Sequence, residues 1–221
     1  MTPDSMVPAI RAVAERFELV HADSPTLLDD VHQLRYQVYC LERGFEPAKD
    51  GRESDPADAF SIHALVRERA TGQAVGTVRL IAPGLAGGEA RMPLCEITGS
   101  APWRHLPRAA TGEISRFALS KRVRAEHGVS DSLLRLFLMR GVVALSGQLG
   151  LTHWCALMEP CLLRLLRASG ISFQPVGAPV DHHGLRQPVL GVIGEVLGQM
   201  AREKPLVWDF VTLGGTLWQE R

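Results

Sequence analysis

Apolar residues follow two different spacings along this chain. In the first half, short β-branched runs are separated by Gly, Pro and Asp, as in strands joined by turns. From residue 130 onward, apolar residues also recur every three or four positions, as in helices. Strands are predicted at residues 17–22, 61–69, 73–83, 112–120, 151–158, 171–176 and 187–193, and helices at residues 24–44, 130–150, 159–170 and 195–203. This order predicts a mixed α/β chain.

One long helix is predicted for residues 24–44. Ser24 is a suitable N-cap, and Gly44 ends the helix. Arg35 and Tyr39 lie four residues apart, so they flank the apolar stripe together. The stripe that this helix is expected to bury consists of Leu27, Val31, Leu34, Val38 and Leu41.

Two opposite charges interrupt an apolar strand, GEISRFALS. Strict alternation places Glu113, Ser115 and Phe117 on one face and Arg116 on the other. The pair is a solvated edge, a structural ion pair or the floor of an active site, and the last two interpretations require partners because burying an unpaired charge is costly. If Glu113 and Arg116 line one site, the strand must contain a bulge, which also leaves a backbone N–H free.

Complementary charges occur in three other segments. Arg79 lies in a second apolar strand, Arg35 lies beside the helix stripe, and Asp55 and Asp58 lie three apart in an acidic loop. Such a network either holds the loop onto the sheet or positions one carboxylate, with Glu113 as the candidate, for proton transfer. Both interpretations stay open at this stage.

The segment before the helix at residue 130 is a candidate phosphate site. Free N–H groups at a helix N-terminus attract phosphate, and Gly128 and Ser130 lie at this junction with Arg122 and Arg124 nearby. The alternative is that Ser130 is a plain N-cap and both arginines are solvated.

Histidines and cysteines give no metal or nucleophile pattern. The four cysteines show no C-x-x-C spacing and are predicted to be free thiols. Cys155 and His63 are interpreted as core residues, and the pair His182–His183 lacks further ligands. No metal site is predicted.

Composition narrows the class of protein. A chain of 221 residues suits a single domain at residues 17–221 with an N-terminal extension at residues 1–16. The 24 basic residues balance 24 acidic residues, which argues against binding to nucleic acid. No apolar run reaches the roughly 20 residues of a membrane span, and the N-terminus lacks a signal-peptide pattern, so we expect a cytoplasmic protein.

Six segments taken together resemble a known family. They are LRYQVYCLERGFEPA, ESDPAD, AVGTVRLI, EISRFALSK, HWCALMEPCLLRLL and HGLRQP. They are similar to the PEP-CTERM/exosortase system-associated acyltransferases, a group that is itself similar to the acyl-homoserine-lactone synthases and the N-acyl amino acid synthases. The resemblance implies an α/β fold of the GCN5-related N-acetyltransferase (GNAT) type, with a mixed, mostly antiparallel central sheet flanked by helices.

The resemblance also implies an active-site signature. In the lactone synthases it consists of a helix arginine, two aromatic residues, two aspartates three apart, a strand arginine and a Glu-x-x-Arg strand. The matching positions here are Arg35, Tyr39, Phe45, Asp55, Asp58, Arg79, Glu113 and Arg116. Tyr39 and Phe45 depart from the phenylalanine and tryptophan usual in that family. The side chains expected to contact the acyl chain or the acceptor are Tyr39, Phe45, Ser115, Phe117 and Trp154.

The implied activity is transfer of a fatty acyl group from a thioester to the amine of an amino acid or a related small molecule. Glu113 is the expected base. Arg35, Arg79 and Arg116 are expected either to hold Glu113, Asp55 and Asp58 in place or to bind a carboxylate of the acceptor. The segment from Arg124 to Ser130 has one residue more than the common acetyltransferase loop, which favours an acyl carrier protein or an atypical coenzyme A contact. No tightly bound cofactor is expected. The alternatives are a lactone synthase that uses S-adenosylmethionine and a non-catalytic acyl-binding module.

Overall fold

One eight-stranded sheet forms the centre of the molecule. The computed structural model describes residues 3–47, 50–85, 92–122, 125 and 130–218. Its strands are β1 (Phe17–His21), β2 (Ser61–Glu68), β3 (Ala74–Ile81), β4 (Thr111–Leu119), β5 (His153–Met158), β6 (Gln174–Pro175), β7 (Val180–Asp181) and β8 (Leu185–Val192). Its helices are α1 (Pro3–Arg16), α2 (Pro25–Arg35), α3 (Pro93–Thr98), α4 (Asp131–Leu149), α5 (Pro160–Ala168), α6 (Ile193–Glu203) and α7 (Pro205–Thr212).

The strands are arranged in the order β1-β2-β3-β4-β5-β8-β6, and β7 pairs with β8. The pair β4 and β5 is parallel, and all other pairs are antiparallel. Helices cover both faces, with α4 against β1 to β4 on one face and α2 against β2 and β3 on the other. The predicted α/β architecture, a mostly antiparallel sheet flanked by helices, is therefore confirmed.

Helix α4 is the central helix of the larger core. By length and composition it is apolar enough to cross a membrane, but 61% of its most apolar 18-residue stretch is buried inside the protein. It packs against the sheet and α7. Burial on this scale identifies α4 as a core helix.

The central strands β4 and β5 separate partway along their length. Their ladder joins Thr111–Ile114 to His153–Ala156 and then stops, although β4 continues to Leu119 and β5 to Met158. N–H groups alternate between the two sides of a strand, so about half of those beyond Ile114 point toward the resulting opening. The parallel pair thus creates a gap in the middle of the sheet.

A bulge interrupts β4 at the opening. The pairing of β3 with β4 shifts between Thr77 and Arg79, where Arg116 and Phe117 together lie opposite Val78. Arg116 has a φ of 49°, a left-handed conformation that is uncommon for a residue with a side chain. This is the bulge that the sequence requires if both charged residues of the strand are to line one site.

The predicted helix 24–44 changes its geometry partway along. The α-helix ends at Arg35, and a π-helical segment, Tyr36–Glu42, follows. Its wider turn rotates the later side chains, so Leu41, predicted to be buried, is 55% exposed, while Cys40 is buried. The predicted stripe is therefore wrong at its last position.

Other segments also differ from the sequence prediction. The strand predicted at residues 171–176 is reduced to Gln174–Pro175, and helix α7 was not predicted. The stretch interpreted as an N-terminal extension contains α1, which packs against β1 and α7 and places Val13 in the main core.

Close packing at Gly147 gives a first stability prediction. A Cβ on Gly147 of α4 would lie 2.2 Å from the backbone oxygen of Leu217. We expect Gly147→Ala to lower the free energy of unfolding by about 1–3 kcal/mol, because the C-terminal segment must shift. Gly198→Ala in α6 is the matched control, since its nearest neighbour is the end of the Arg202 side chain at 3.5 Å; it should raise the free energy by about 0.4–1 kcal/mol. Urea denaturation that gives equal effects for both variants would contradict this packing.

Candidate active site

A cavity of about 300 Å³ occupies the gap between β4 and β5. It runs from the first turn of α4 to the loop between β7 and β8, and its walls include parts of α5 and the π-helical segment. The predicted site residues that line it are Tyr39, Phe45, Arg79, Glu113, Ser115, Arg116 and Phe117. Glu113 and Arg116 therefore share one cavity despite their odd spacing.

Glu113 is buried in the wall of this cavity. Its carboxylate accepts a hydrogen bond of 3.2 Å from the backbone N–H of Leu94, at the start of α3. Burial raises the pKa of Glu113 to about 8, against the opposing effects of that hydrogen bond and of the more distant Arg79. Within the described part of the chain, no arginine nitrogen comes within 4.0 Å of Glu113. The prediction that the arginines hold Glu113 directly is therefore wrong.

The three predicted arginines instead bind a different set of carboxylates. Arg35 is fully buried and donates from Nε to Glu53 and from Nη1 to Asp58 Oδ1 at 2.7 Å. Glu53 was not identified from the sequence, although it lies two residues before Asp55 in the same acidic loop.

Arg79 reaches the same loop from β3. Its Nη1 donates to Asp55 Oδ1 at 2.6 Å and to Asp58 Oδ1 at 2.8 Å. Its Nε donates to Ser115 Oγ at 2.9 Å, which ties the arginine to β4. As the acceptor of this hydrogen bond, the hydroxyl of Ser115 helps to position Arg79.

Arg116 completes the arrangement. Its Nη2 donates to Glu53 Oε1 at 2.9 Å and to Asp55 Oδ2 at 2.8 Å. Its guanidinium also lies 5.3 Å from the centroid of the Tyr39 ring, within cation–π range. Through hydrogen bonds, each carboxylate thus bridges two arginines and each arginine bridges two carboxylates, and Arg35 Nη2 lies a further 4.0 Å from Asp55 Oδ2. We call this closed circuit the ion-pair ring; its members are Arg35, Arg79, Arg116, Glu53, Asp55 and Asp58.

The three-residue spacing of the two aspartates has a local cause. The side chain of Asp55 caps a 3₁₀ helix, Pro56–Phe60, by accepting from Ala57 N at 2.8 Å. Asp58 completes the capping box by accepting from Asp55 N at 2.8 Å. One short helix therefore presents both carboxylates to the arginines.

The ring keeps its carboxylates ionised. Burial opposes ionisation of Glu53, Asp55 and Asp58, but hydrogen bonds and charges from the arginines outweigh it and hold all three pKa values below their usual range. The three carboxylates are therefore weak bases, and the ion-pair ring is suited to holding the acidic loop in place. Glu113, with its raised pKa, is the candidate for proton transfer.

The aromatic residues of the signature lie at the cavity mouth. Phe45 stacks on His183 with ring centroids 5.1 Å apart, and Tyr39 lies 6.5 Å from Phe45. Phe117 lines the cavity beside the bulge. The expected contacts of Tyr39, Phe45, Ser115 and Phe117 with a substrate are thus compatible with their placement.

Trp154 lies elsewhere and requires a correction. It is fully buried in the main core, its indole N–H donates to Ser146 Oγ at 2.8 Å, and it packs against Phe173. Because side chains alternate along β5, Trp154 points to the α4 side of the sheet and does not line the cavity. The prediction of an acyl contact for Trp154 is wrong.

His63 and Cys155 are core residues, as interpreted from the sequence. His63 is 2% exposed, and burial lowers its pKa to about 3. Burial raises the pKa of the Cys155 thiol, which disfavours the thiolate. All four cysteines are free, and within the described ranges no three His, Cys, Asp or Glu side chains are grouped to hold a metal.

The candidate phosphate segment is only partly described. Arg124 and Gly128 lie outside the described residues, and Ser130 is at the N-cap position of α4 without a side-chain cap hydrogen bond. The backbone N–H groups of Lys121 and Arg122 donate to Glu42, at 2.8 and 3.3 Å. Arg122 lines a separate groove rather than the cavity, so the described residues do not bring it to the candidate site.

Comparisons with known proteins agree with this architecture. The family model described as an acetyltransferase (GNAT) domain matches residues 34–133, which include the ion-pair ring and Glu113. No curated protein sequence gives a significant match.

Solved structures extend the similarity over most of the chain. BjaI, a CoA-dependent acyl-homoserine lactone synthase solved with SAM and isopentyl-CoA, shares 20% identity with a TM-score of 0.67, covering 93% of each chain. The AHL synthase LasI shares 19% identity with a TM-score of 0.64, covering 80% of this chain and 88% of its own. FeeM, an N-acyl amino acid synthase from uncultured soil microbes, shares 16% identity with a TM-score of 0.57, covering 83% and 94%. The chain therefore has a GNAT-like fold.

Proposed function

We propose that the protein is an N-acyltransferase that moves a fatty acyl group from a pantetheine thioester to the amine of an amino acid or a related small molecule. The observation that carries this proposal is Glu113, a buried carboxyl with a pKa of about 8 in the wall of a cavity between separated parallel strands. Similarity of fold to synthases of both N-acylated product classes supports it.

Glu113 supplies the base that this reaction needs. The acceptor arrives as an ammonium ion and must lose a proton, directly or through a water, before its nitrogen attacks the thioester carbonyl. A base with a pKa near the working pH balances availability against basicity. The attack forms the C–N bond; the C–S bond then breaks, and the leaving thiolate takes the second proton of the nitrogen.

The opening of the sheet supplies donors for the oxyanion. Backbone N–H groups of β4 beyond Ile114 have no partner on β5, and the bulge at Arg116 frees a further position. Such fixed donors stabilise the negative oxygen of a tetrahedral intermediate by several kcal/mol, on the order of 3–4 for one donor in other enzymes.

The cavity wall also suits an acyl chain. Apolar side chains from three elements line it: Ile97 of α3, Leu157 of β5, and Leu162 and Leu165 of α5. Burying a methylene group against such a wall contributes about 0.8 kcal/mol. A fatty acyl group is therefore favoured over an acetyl group as the transferred unit.

A product assay tests the proposal. Purified protein is incubated with acyl carrier protein thioesters and coenzyme A thioesters of several chain lengths and a panel of amino acids and amines, and the products are identified by mass spectrometry. We expect a new N-acyl amine that requires both substrates. Product that forms only with S-adenosylmethionine would identify a lactone synthase. An acyl ligand that copurifies unaltered, with no product from any pair, would identify a binding module and reject the proposal.

The remaining assignments stay predictions. They include the acyl carrier protein as donor and partner, the role of the Arg122–Ser130 segment in holding the donor phosphate, the cytoplasmic location, the single domain at residues 17–221 and the association with the PEP-CTERM/exosortase system. The comparison of acyl carrier protein thioesters with coenzyme A thioesters in the product assay decides which of the two is the donor.

A further inference from the structure

Two arginines meet at the cavity mouth, apart from the ion-pair ring. Arg43 follows the π-helical segment and Arg186 lies in β8, and both line the cavity that contains Glu113. Their guanidinium carbons lie 5.6 and 5.7 Å from the centroid of the same ring, that of Phe45. Elements distant in sequence thus bring two cations to one face of the mouth.

One carboxylate oxygen serves both arginines. Glu159 Oε1 lies 3.1 Å from Arg43 Nη1 and 3.2 Å from Arg186 Nη2. The other oxygen of Glu159 accepts from the Cys161 thiol at 3.2 Å. The nearby Glu46 lies 3.4 Å from His183 and is not paired with either arginine. Two guanidinium groups that share one oxygen form an incompletely neutralised site.

Donors remain available on both side chains. Among the described residues, Arg43 Nη1 donates to Glu159 and Arg186 Nη1 donates to its neighbour Leu185 O at 3.2 Å, while Arg186 Nη2 forms the ion pair with Glu159. The two Nε groups and Arg43 Nη2 have no protein partner among these residues. Arg186 is only 13% exposed, so a ligand there is partly shielded from water.

The ion-pair ring does not provide an equivalent site. Arg35 and Arg79 are 0% and 1% exposed, and each arginine of the ring already binds two carboxylates. An incoming carboxylate would have to break a buried ion pair, which is strongly unfavourable. Of the five arginines considered, Arg43 and Arg186 are therefore the pair suited to an incoming anion.

We infer that Arg43 and Arg186 form a subsite for a carboxylate carried by the acceptor, which makes the acceptor an α-amino acid or another amine with a nearby carboxylate. The inference rests on the proposed function and assigns the substrate class of the same cavity. Planar guanidinium groups bind carboxylates bidentately and with defined direction. A carboxylate held at the mouth keeps the amine in the cavity that contains Glu113, so both arginines act as positioning residues.

Equilibrium binding tests the subsite without requiring turnover. Calorimetric titration compares N-octanoyl-leucine with N-octanoyl-isoamylamine, which differ only by the carboxylate, in the wild type, Arg43→Gln, Arg186→Gln and the double variant. We expect the wild type to bind the acid at least about 10-fold tighter, and each single variant to lose about 10- to 100-fold in affinity for the acid, as for other charge-assisted hydrogen bonds. The affinity for N-octanoyl-isoamylamine should be the same in the wild type and in the variants. Arg167→Gln, an exposed position on α5, is the matched control.

Each result has a defined meaning. Selective loss of acid binding in the Arg43 and Arg186 variants, with Arg167→Gln unchanged, supports the subsite. Equal affinity of the wild type for the two compounds, including no measurable binding of either, overturns it. Failure of the proposed function is a separate result, because it consists of the absence of N-acyl product in the turnover assay.

Discussion

Glu113→Gln is expected to lower kcat for acyl transfer by about 10²- to 10⁴-fold, the usual contribution of a general base. The amide has nearly the same shape and can still accept the hydrogen bond from Leu94 N–H, but it cannot take a proton from the acceptor. Steady-state kinetics with a donor and acceptor found in the product assay measure the effect, and circular dichroism checks the fold.

Glu96→Gln is the matched control for this prediction. Glu96 is an exposed carboxylate on α3, the helix whose first turn contacts Glu113, so the same chemical change there should leave kcat unaltered. A folded Glu113→Gln protein with the activity of the wild type would remove Glu113 from the role of base.

Arg35→Met is expected to lower the free energy of unfolding by about 3–5 kcal/mol, the usual effect of removing one partner of a buried ion pair. Arg35 is fully buried, and Met fills a similar volume but leaves Glu53 and Asp58 without one of their two arginines. Such a loss is a large share of the roughly 5–15 kcal/mol that stabilises a typical domain. Urea denaturation followed by circular dichroism measures it.

Arg11→Met is the control for the buried arginine. Arg11 is 81% exposed and, among the residues that the structure describes, pairs with Glu15 on the surface of α1, so its replacement should have little effect on stability. A stability loss for Arg35→Met no larger than that for Arg11→Met would show that the ion-pair ring does not stabilise the fold.

Part of this site could be predicted from the alternation of side chains along β4. Because Glu113 and Arg116 are an odd number of residues apart, a shared cavity required a bulge, and the shift at Arg116 provides it. The aspartate pair was recognised by its charges in an acidic loop, whereas the 3₁₀ helix and the capping box that set its spacing were not predicted. The strand period was therefore informative, and the local fold of the loop was not.

The pairing of charges was not predictable in the same way. Arg116 binds Glu53, 63 residues away, and nothing local distinguishes Glu53 from Glu113 as its partner. The choice depends on how the acidic loop folds over the sheet. Burial likewise decided the role of Trp154, because its face of β5 meets α4 and not the cavity.

Helix geometry was predictable only up to Arg35. An apolar spacing of three and four fits an α-helix, and the π-helical segment after Arg35 gives no simple signal in that pattern. Its wider turn exposes Leu41 and carries the chain on to Phe45, which stacks on His183 at the cavity mouth.

The pH dependence of kcat/KM, compared between the wild type and Glu113→Gln, tests the central claim most directly. This ratio reports groups of the free protein and free substrates. The base must be ionised to act, so wild-type kcat/KM should rise with pH and level off above an inflection near the Glu113 pKa of about 8. Titration of the acceptor amine appears in both proteins and serves as the internal reference. We predict that the inflection from Glu113 is absent from the variant; the same pair of inflections in both proteins would contradict a catalytic Glu113.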